Sequence, residues 1–250
     1  MIAQILIVYG SFTTGTKTFF SGGQFRPDRG GQFGPDRGGQ FGPVKGGQFK
    51  PDRGGQLHRI FQYINILDLC ETGTRELGPG NRYVIWVQGC PFNCSGCITP
   101  EGIPIAENNM VEINQIISAI CEHEKISGIT ISGGEPFMQA SKLVKILKAV
   151  KTIRPELDVV VFTGFKLKEL DWTEALELLQ IIDVLIDGKY IERLNDNKGL
   201  RGSSNQQVNY LSDRLKEHKY YFEERERSIE VHVYNHQQTI IGVPNKSITV

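Results

Sequence analysis

Between residues 83 and 186 four short apolar runs alternate with three stretches of helical periodicity, and each run ends in an unusual cluster of small or polar residues. The runs, 83–88, 128–132, 159–163 and 184–186, have the length of strands, and the third is rich in β-branched residues. Between them, Val111, Ile113, Ile116, Ile117 and Ile120 mark one face of a helix over 111–124. Leu143, Val144, Ile146, Leu147 and Val150 mark a second helix, which Pro155 ends. Asp171 and Glu174 read as a capping box for a third, reaching about residue 182. A β-α-β-α-β-α-β order leaves few folds: the strands lie parallel with right-handed crossovers, which makes this an α/β chain. A parallel sheet delivers the C-terminal ends of its strands to one edge, so the clusters that follow them can meet in space.

The first cluster is Cys90-Pro-Phe-Asn-Cys94-Ser-Gly-Cys97. Structural zinc normally closes with four ligands, often as two short pairs, and this knuckle offers three. Cys70 and Cys121 lie far away in sequence, and Cys121 falls in the first helical pattern, where a buried small thiol is the ordinary reading. Three thiolates suit a cubane [4Fe-4S] cluster with one iron left open to a small molecule, and the spacing favours that over zinc without excluding zinc. After the second strand comes Ser132-Gly133-Gly134-Glu135-Pro136. Glycines lack Cβ and let backbone approach a ligand closely, although alone they are an ordinary strand-to-helix turn. Thr163-Gly164 follows the third strand and Asp187-Gly188-Lys189 the fourth. By itself the latter reads as a β-turn with a solvated lysine.

Taken together, C-x3-C-x2-C and the Gly-Gly-Glu-Pro loop resemble the hallmarks of the radical S-adenosylmethionine superfamily. Residues 161–167, 183–190 and 200–206 are similar to the successive later motifs of anaerobic ribonucleoside-triphosphate reductase activating proteins, so the resemblance covers roughly residues 64–211. It implies an incomplete (β/α) barrel of radical SAM type. It implies that Cys90, Cys94 and Cys97 hold three irons of a [4Fe-4S] cluster, and that the fourth chelates S-adenosylmethionine through its amino and carboxylate groups. Reductive cleavage then gives methionine and a 5′-deoxyadenosyl radical. Gly133, Gly134 and Glu135 are expected to meet the methionyl ammonium, Asp187 and Lys189 of Asp187-Gly188-Lys189 to belong to the cofactor site with Lys189 pairing the carboxylate, and Thr163 with Gly164 to line the same pocket. No further catalytic side chain is implied. The expected partner is a glycyl-radical enzyme, anaerobic ribonucleotide reductase, with a low-potential electron donor such as flavodoxin or ferredoxin; a maturase acting on another protein or peptide is the alternative, and a zinc-stapled module the alternative of another class. Two positions depart from wider patterns. Gly96 stands where many members carry an aromatic against adenine, as it does in the reductase activators. Phe162 stands where some related activases carry an acidic residue bound to a monovalent cation, so that cation site is not expected.

Twenty-eight basic residues balance 28 acidic ones, which argues against a general nucleic-acid or membrane-surface binder. No run of about 18 apolar residues is present, so no transmembrane helix is expected. The apolar start, residues 1–10, lacks a basic segment and a clear cleavage site, so no secretory signal is expected either. Five cysteines, three of them clustered, suit metal ligation in a reducing cytoplasm. Residues 22–56 repeat every eight positions: Gly22-Gly23-Gln24-Phe25 recurs from Gly30, Gly38 and Gly46, and Gly54-Gly55-Gln56-Leu57 closes the run. Such units are too short for a solenoid and too poor in apolar residues to fold, so residues 1–56 are expected to be a disordered low-complexity segment and 57–250 the domain, ending in a hairpin.

Overall fold

The computed structural model describes residues 4–8, 62–234 and 237–245. Two sheets form. The larger contains β2 (Tyr63–Thr74), β3 (Arg82–Val87), β4 (Asn109–Glu112), β5 (Gly128–Gly133), β6 (Asp158–Phe162), β7 (Val184–Asp187) and β8 (Gln207–Tyr210), in the order β4-β2-β3-β5-β6-β7-β8. Strands β3, β5, β6 and β7 are mutually parallel, as the alternation requires. Antiparallel β2 and β4 extend one side and antiparallel β8 the other, so the sheet is mixed. Its end strands, β4 and β8, do not pair with one another, and no closed barrel forms among the described residues. The smaller sheet joins β9 (Ile229–Tyr234) and β10 (Gln237–Gly242), the expected terminal hairpin, to β1 (Gln4–Val8). β1 falls inside the segment expected to lack structure; the octapeptide repeat itself lies outside the described residues.

Side-chain alternation along the parallel strands divides the interior in two. Tyr83, Ile85 and Val87 of β3 face the same core as α1 (Ile113–Glu122), α2 (Ala140–Ile153) and α3 (Thr173–Leu179). Val84 and Trp86 face a second core, completed by Val160, Phe162, Phe222, Ile241 and Val243. Burial on both faces explains why these strands read as continuous apolar runs. Phe162, fully buried, is a wall of this second core.

Two helix boundaries differ from the sequence expectation. Val111 is not helical: Asn109–Glu112 pairs with β2, placing Val111 opposite Ile64, and the helix starts at Ile113. A partner strand distant in sequence wins over local periodicity there. The third helix starts at Thr173 after Trp172, with no side-chain cap, and ends at Leu179, so Asp171 and Glu174 form no capping box. Ile182, expected within the helix, instead lies beyond it, buried in the first core.

At the N-terminal edge of the sheet Arg82 is fully buried. It donates to Thr130 Oγ1 (2.7 Å) and to the carbonyls of Pro79 (3.0 Å) and Ile129 (2.8 Å), and pairs with Asp158 at 2.6 Å. Removing one partner of such a pair strands the other charge. Arg82→Ala is expected to destabilise the fold by about 3 kcal/mol, read as a lower urea midpoint.

Candidate functional site

The opposite edge of the sheet gathers all four sequence clusters. After β3, Gln88 anchors the loop by donating from Nε2 to the carbonyls of Glu101 (3.0 Å) and Pro104 (2.8 Å). Backbone bonds from Gly89 to Gly102 (2.9 Å) and from Cys90 to Ile103 (3.1 Å) hold the cysteine knuckle against residues 99–104. Cys97 N–H closes a turn onto Cys94 O at 3.1 Å, and Gly96 takes a left-handed φ of 68° beside the Glu192 carboxylate. A cleft results, lined by Cys90, Cys94 and Cys97 together with Gly133, Gly134 and Gly164. Phe92, Thr99, Ile103 and Tyr190 complete the wall.

The Gly-Gly-Glu-Pro loop is packed onto the knuckle. Gly134 N–H donates to Val87 O and Glu135 N–H to Gly89 O, each at 2.7 Å. Gly133 has φ 99°, and a Cβ there would fall 2.5 Å from the Val87 backbone. The Glu135 side chain is fully buried behind this wall. Its Oε1 accepts from Phe137 N–H (3.0 Å) and the Thr163 hydroxyl (2.8 Å), and Oε2 accepts from Gly164 N–H (2.8 Å). Burial drives its carboxyl up to about 7, against the opposing pull of these three donors.

The remaining sequence-identified residues divide between frame and opening. Asp187 is buried and accepts from Leu167 N–H at 2.6 Å, fastening the end of β7 to the loop after β6. Lys189 is exposed, with Nζ 4.5 Å from the centroid of the Phe92 ring. Among the described residues it forms no ion pair. The segment at 202–206, part of the last resembling motif, braces this loop: Gln206 Nε2 donates to Gly188 O (2.7 Å) and Asn205 Nδ2 to Lys189 O (2.8 Å). Sequence reasoning thus singled out the thiols and the glycines that line the cleft but not the aromatic wall. Phe92 sits inside the knuckle and Tyr190 directly follows Lys189, so both were visible; Ile103 carried no signal.

The donor set fits an iron-sulfur cluster. Three thiols face one cleft, and the Cys90 and Cys97 sulfurs receive backbone N–H groups from Phe92 and Thr99 respectively. Burial raises the Cys97 thiol and pushes Cys90 up to about 12, so thiolate there needs a compensating cation. Among the described residues no three His, Cys, Asp or Glu side chains are gathered as for a single metal ion. An α/β sheet carrying this three-thiol knuckle at its C-terminal edge defines the class, an iron-sulfur protein. The chain matches the family described as a 4Fe-4S single cluster domain over residues 77–209, more than half its length.

Three relatives narrow the assignment, each named anaerobic ribonucleoside-triphosphate reductase-activating protein. That of Escherichia coli is 37% identical over 145 residues, covering 54% of this chain and 91% of its own. That of Vibrio cholerae is 36% identical over 139 residues (52% and 88%), and that of Enterobacteria phage T4 is 32% identical over 135 (52% and 85%). The chain therefore belongs to the 4Fe-4S single cluster domain family, among the anaerobic ribonucleoside-triphosphate reductase-activating proteins.

Glu135 gives this edge a pH signature. Its folded value lies above the ordinary 4.5, so between about pH 4.5 and 7 the folded state binds the extra proton. The contribution favouring the fold is complete below about 4.5 and lost as pH rises through about 7, a change of about 3 kcal/mol. Urea midpoints of metal-free protein should fall over that window, and Glu135→Gln should flatten this part of the profile.

Proposed function

We propose that this chain is a radical S-adenosylmethionine activase that generates a glycyl radical on anaerobic ribonucleotide reductase. The observation carrying the reading is the convergence, in one cleft, of three cysteine thiols with the Gly133-Gly134 backbone. The family match and the names of the relatives point the same way. The open mixed sheet, with α1, α2 and α3 on one face and its motifs at one edge, fits an incomplete (β/α) barrel of radical SAM type.

In this reading Cys90, Cys94 and Cys97 hold three irons of a [4Fe-4S] cluster. When bound, the cluster supplies the low-potential electron for reductive cleavage of S-adenosylmethionine. The chain's own residues position that substrate. Backbone at Gly133 and Gly134 takes the methionyl ammonium, with the buried Glu135 side chain behind it. Lys189 leaves the Phe92 ring to pair the carboxylate, a charge-assisted contact stronger than an exposed cation–π one. Thr163 acts through the Glu135 carboxyl to which it donates, and Asp187 through the backbone it holds, rather than by touching ligand. Because no helix among the described residues is long and apolar enough to cross a membrane, nothing in them opposes a cytoplasmic site of action, where flavodoxin or ferredoxin would supply electrons.

Anaerobically reconstituted protein should carry about four irons and four sulfides per chain and lose them on Cys94→Ala, since two anchors hold a cubane poorly. Stoichiometric zinc without sulfide would overturn the reading. With dithionite and S-adenosylmethionine, the protein should release 5′-deoxyadenosine and methionine. Lys189→Ala should weaken S-adenosylmethionine binding roughly tenfold while leaving iron content unchanged, as loss of one charged contact implies. Adding the reductase should produce a glycine-centred doublet in electron paramagnetic resonance. Cleavage without that doublet would favour a maturase acting on another protein.

A further inference from the structure

Residues beyond the family match, which ends at 209, reach back to the cysteine cleft through one buried side chain. Arg227 is 7% exposed. It donates to the carbonyls of Lys198 (3.3 Å), Gly199 (3.3 Å) and Pro244 (3.4 Å), and from Nη1 to Asn195 Oδ1 at 2.7 Å. Asn195 Oδ1 also accepts from Asn197 N–H at 3.1 Å. Two donors on one oxygen fix which way the amide points. The Asn195 amino group therefore faces the Tyr190 hydroxyl, 3.5 Å away, and donates to it.

Tyr190 is 6% exposed and shares the cleft with Cys90, Cys94 and Cys97. Its oxygen accepts from Asn195, which leaves its own proton to be donated elsewhere, and a buried hydroxyl seeks an acceptor. The cysteine sulfurs that line the same cleft are the acceptors on offer. We propose that Tyr190 is a cluster-contacting residue whose O–H donates to a cysteine thiolate of this cleft when that thiolate is bound to iron, with Asn195 and Arg227 as the positioning residues that aim it. A hydrogen bond to a cluster sulfur draws off electron density, stabilises the reduced state and so raises the reduction potential. The C-terminal extension would thereby tune the redox centre without touching it. This rests on the cluster-bearing reading above.

The test is a redox titration of reconstituted protein without S-adenosylmethionine, followed by electron paramagnetic resonance. Tyr190→Phe, which removes one oxygen and keeps the packing, should shift the potential to a more negative value at unchanged iron and sulfide content. Asn195→Ala should shift it the same way by less, and the double variant should go no further than Tyr190→Phe alone, because the two act in series. A Tyr190→Phe potential equal to wild type, including one accompanied by weaker S-adenosylmethionine binding, overturns the inference while leaving the function intact. An Asn195→Ala shift that adds fully to that of Tyr190→Phe also overturns it. Wild-type protein that assembles no cluster overturns the function and this inference together.

Discussion

The site depends on one buried carboxylate. Glu135 follows β5, yet its side chain accepts from Thr163 and Gly164 after β6, and its own N–H donates to Gly89 after β3. A single residue thus ties three neighbouring strand ends into one wall. Placing an acid in an apolar interior is unfavourable, and the three donors that meet it only partly offset this, which is why its proton is held so tightly. The same residue holds the loop rigid. In the proposed function, rigid placement matters because the wall would orient a small zwitterion against a redox centre.

Around that wall the glycines do different work. Gly133 and Gly134 are pressed against the end of β3 and the knuckle entry, so their lack of Cβ serves loop-to-loop packing as well as access to the cleft. Gly164 lies under the Phe92 ring, which stands edge-on to Phe165 with centroids 4.9 Å apart. A side chain at Gly164 would displace Phe92 and with it the surface over which Lys189 rests. Knuckle, glycine loop and lysine are therefore packed as one unit, and a change at any of them is felt at the others.

Much of the fold was legible because the four parallel strands are buried on both faces and read as apolar runs, while α1 and α2 bury clear stripes. The antiparallel additions were not. β8 is short and only half-buried, and β2 gains its identity by pairing with β3 and β4 on its two sides. Val111 satisfied helical spacing and became strand because Ile64 lies opposite it. The supposed capping box at Asp171 failed because Trp172 opens the helix without a side-chain cap. Within the site, the thiols and glycines were legible as motifs, whereas Ile103 joins the cleft only because the backbone at Gly89 and Cys90 bonds to its loop.

By itself, the sequence determined the class of chain and the chemistry it can carry: alternating strands and helices, three clustered thiols suited to metal ligation, and motifs that must share a sheet edge. These follow from spacing and local pattern, which need no knowledge of distant contacts. Only the tertiary structure decided which motif residues face the cleft and which stand behind it. Glu135, Thr163 and Asp187 belong to the frame, and Tyr190 and Phe92 to the wall. The physical reason is that burial and hydrogen-bond partners are properties of chain segments brought together from far apart, as when Arg227 orients Asn195 and through it Tyr190.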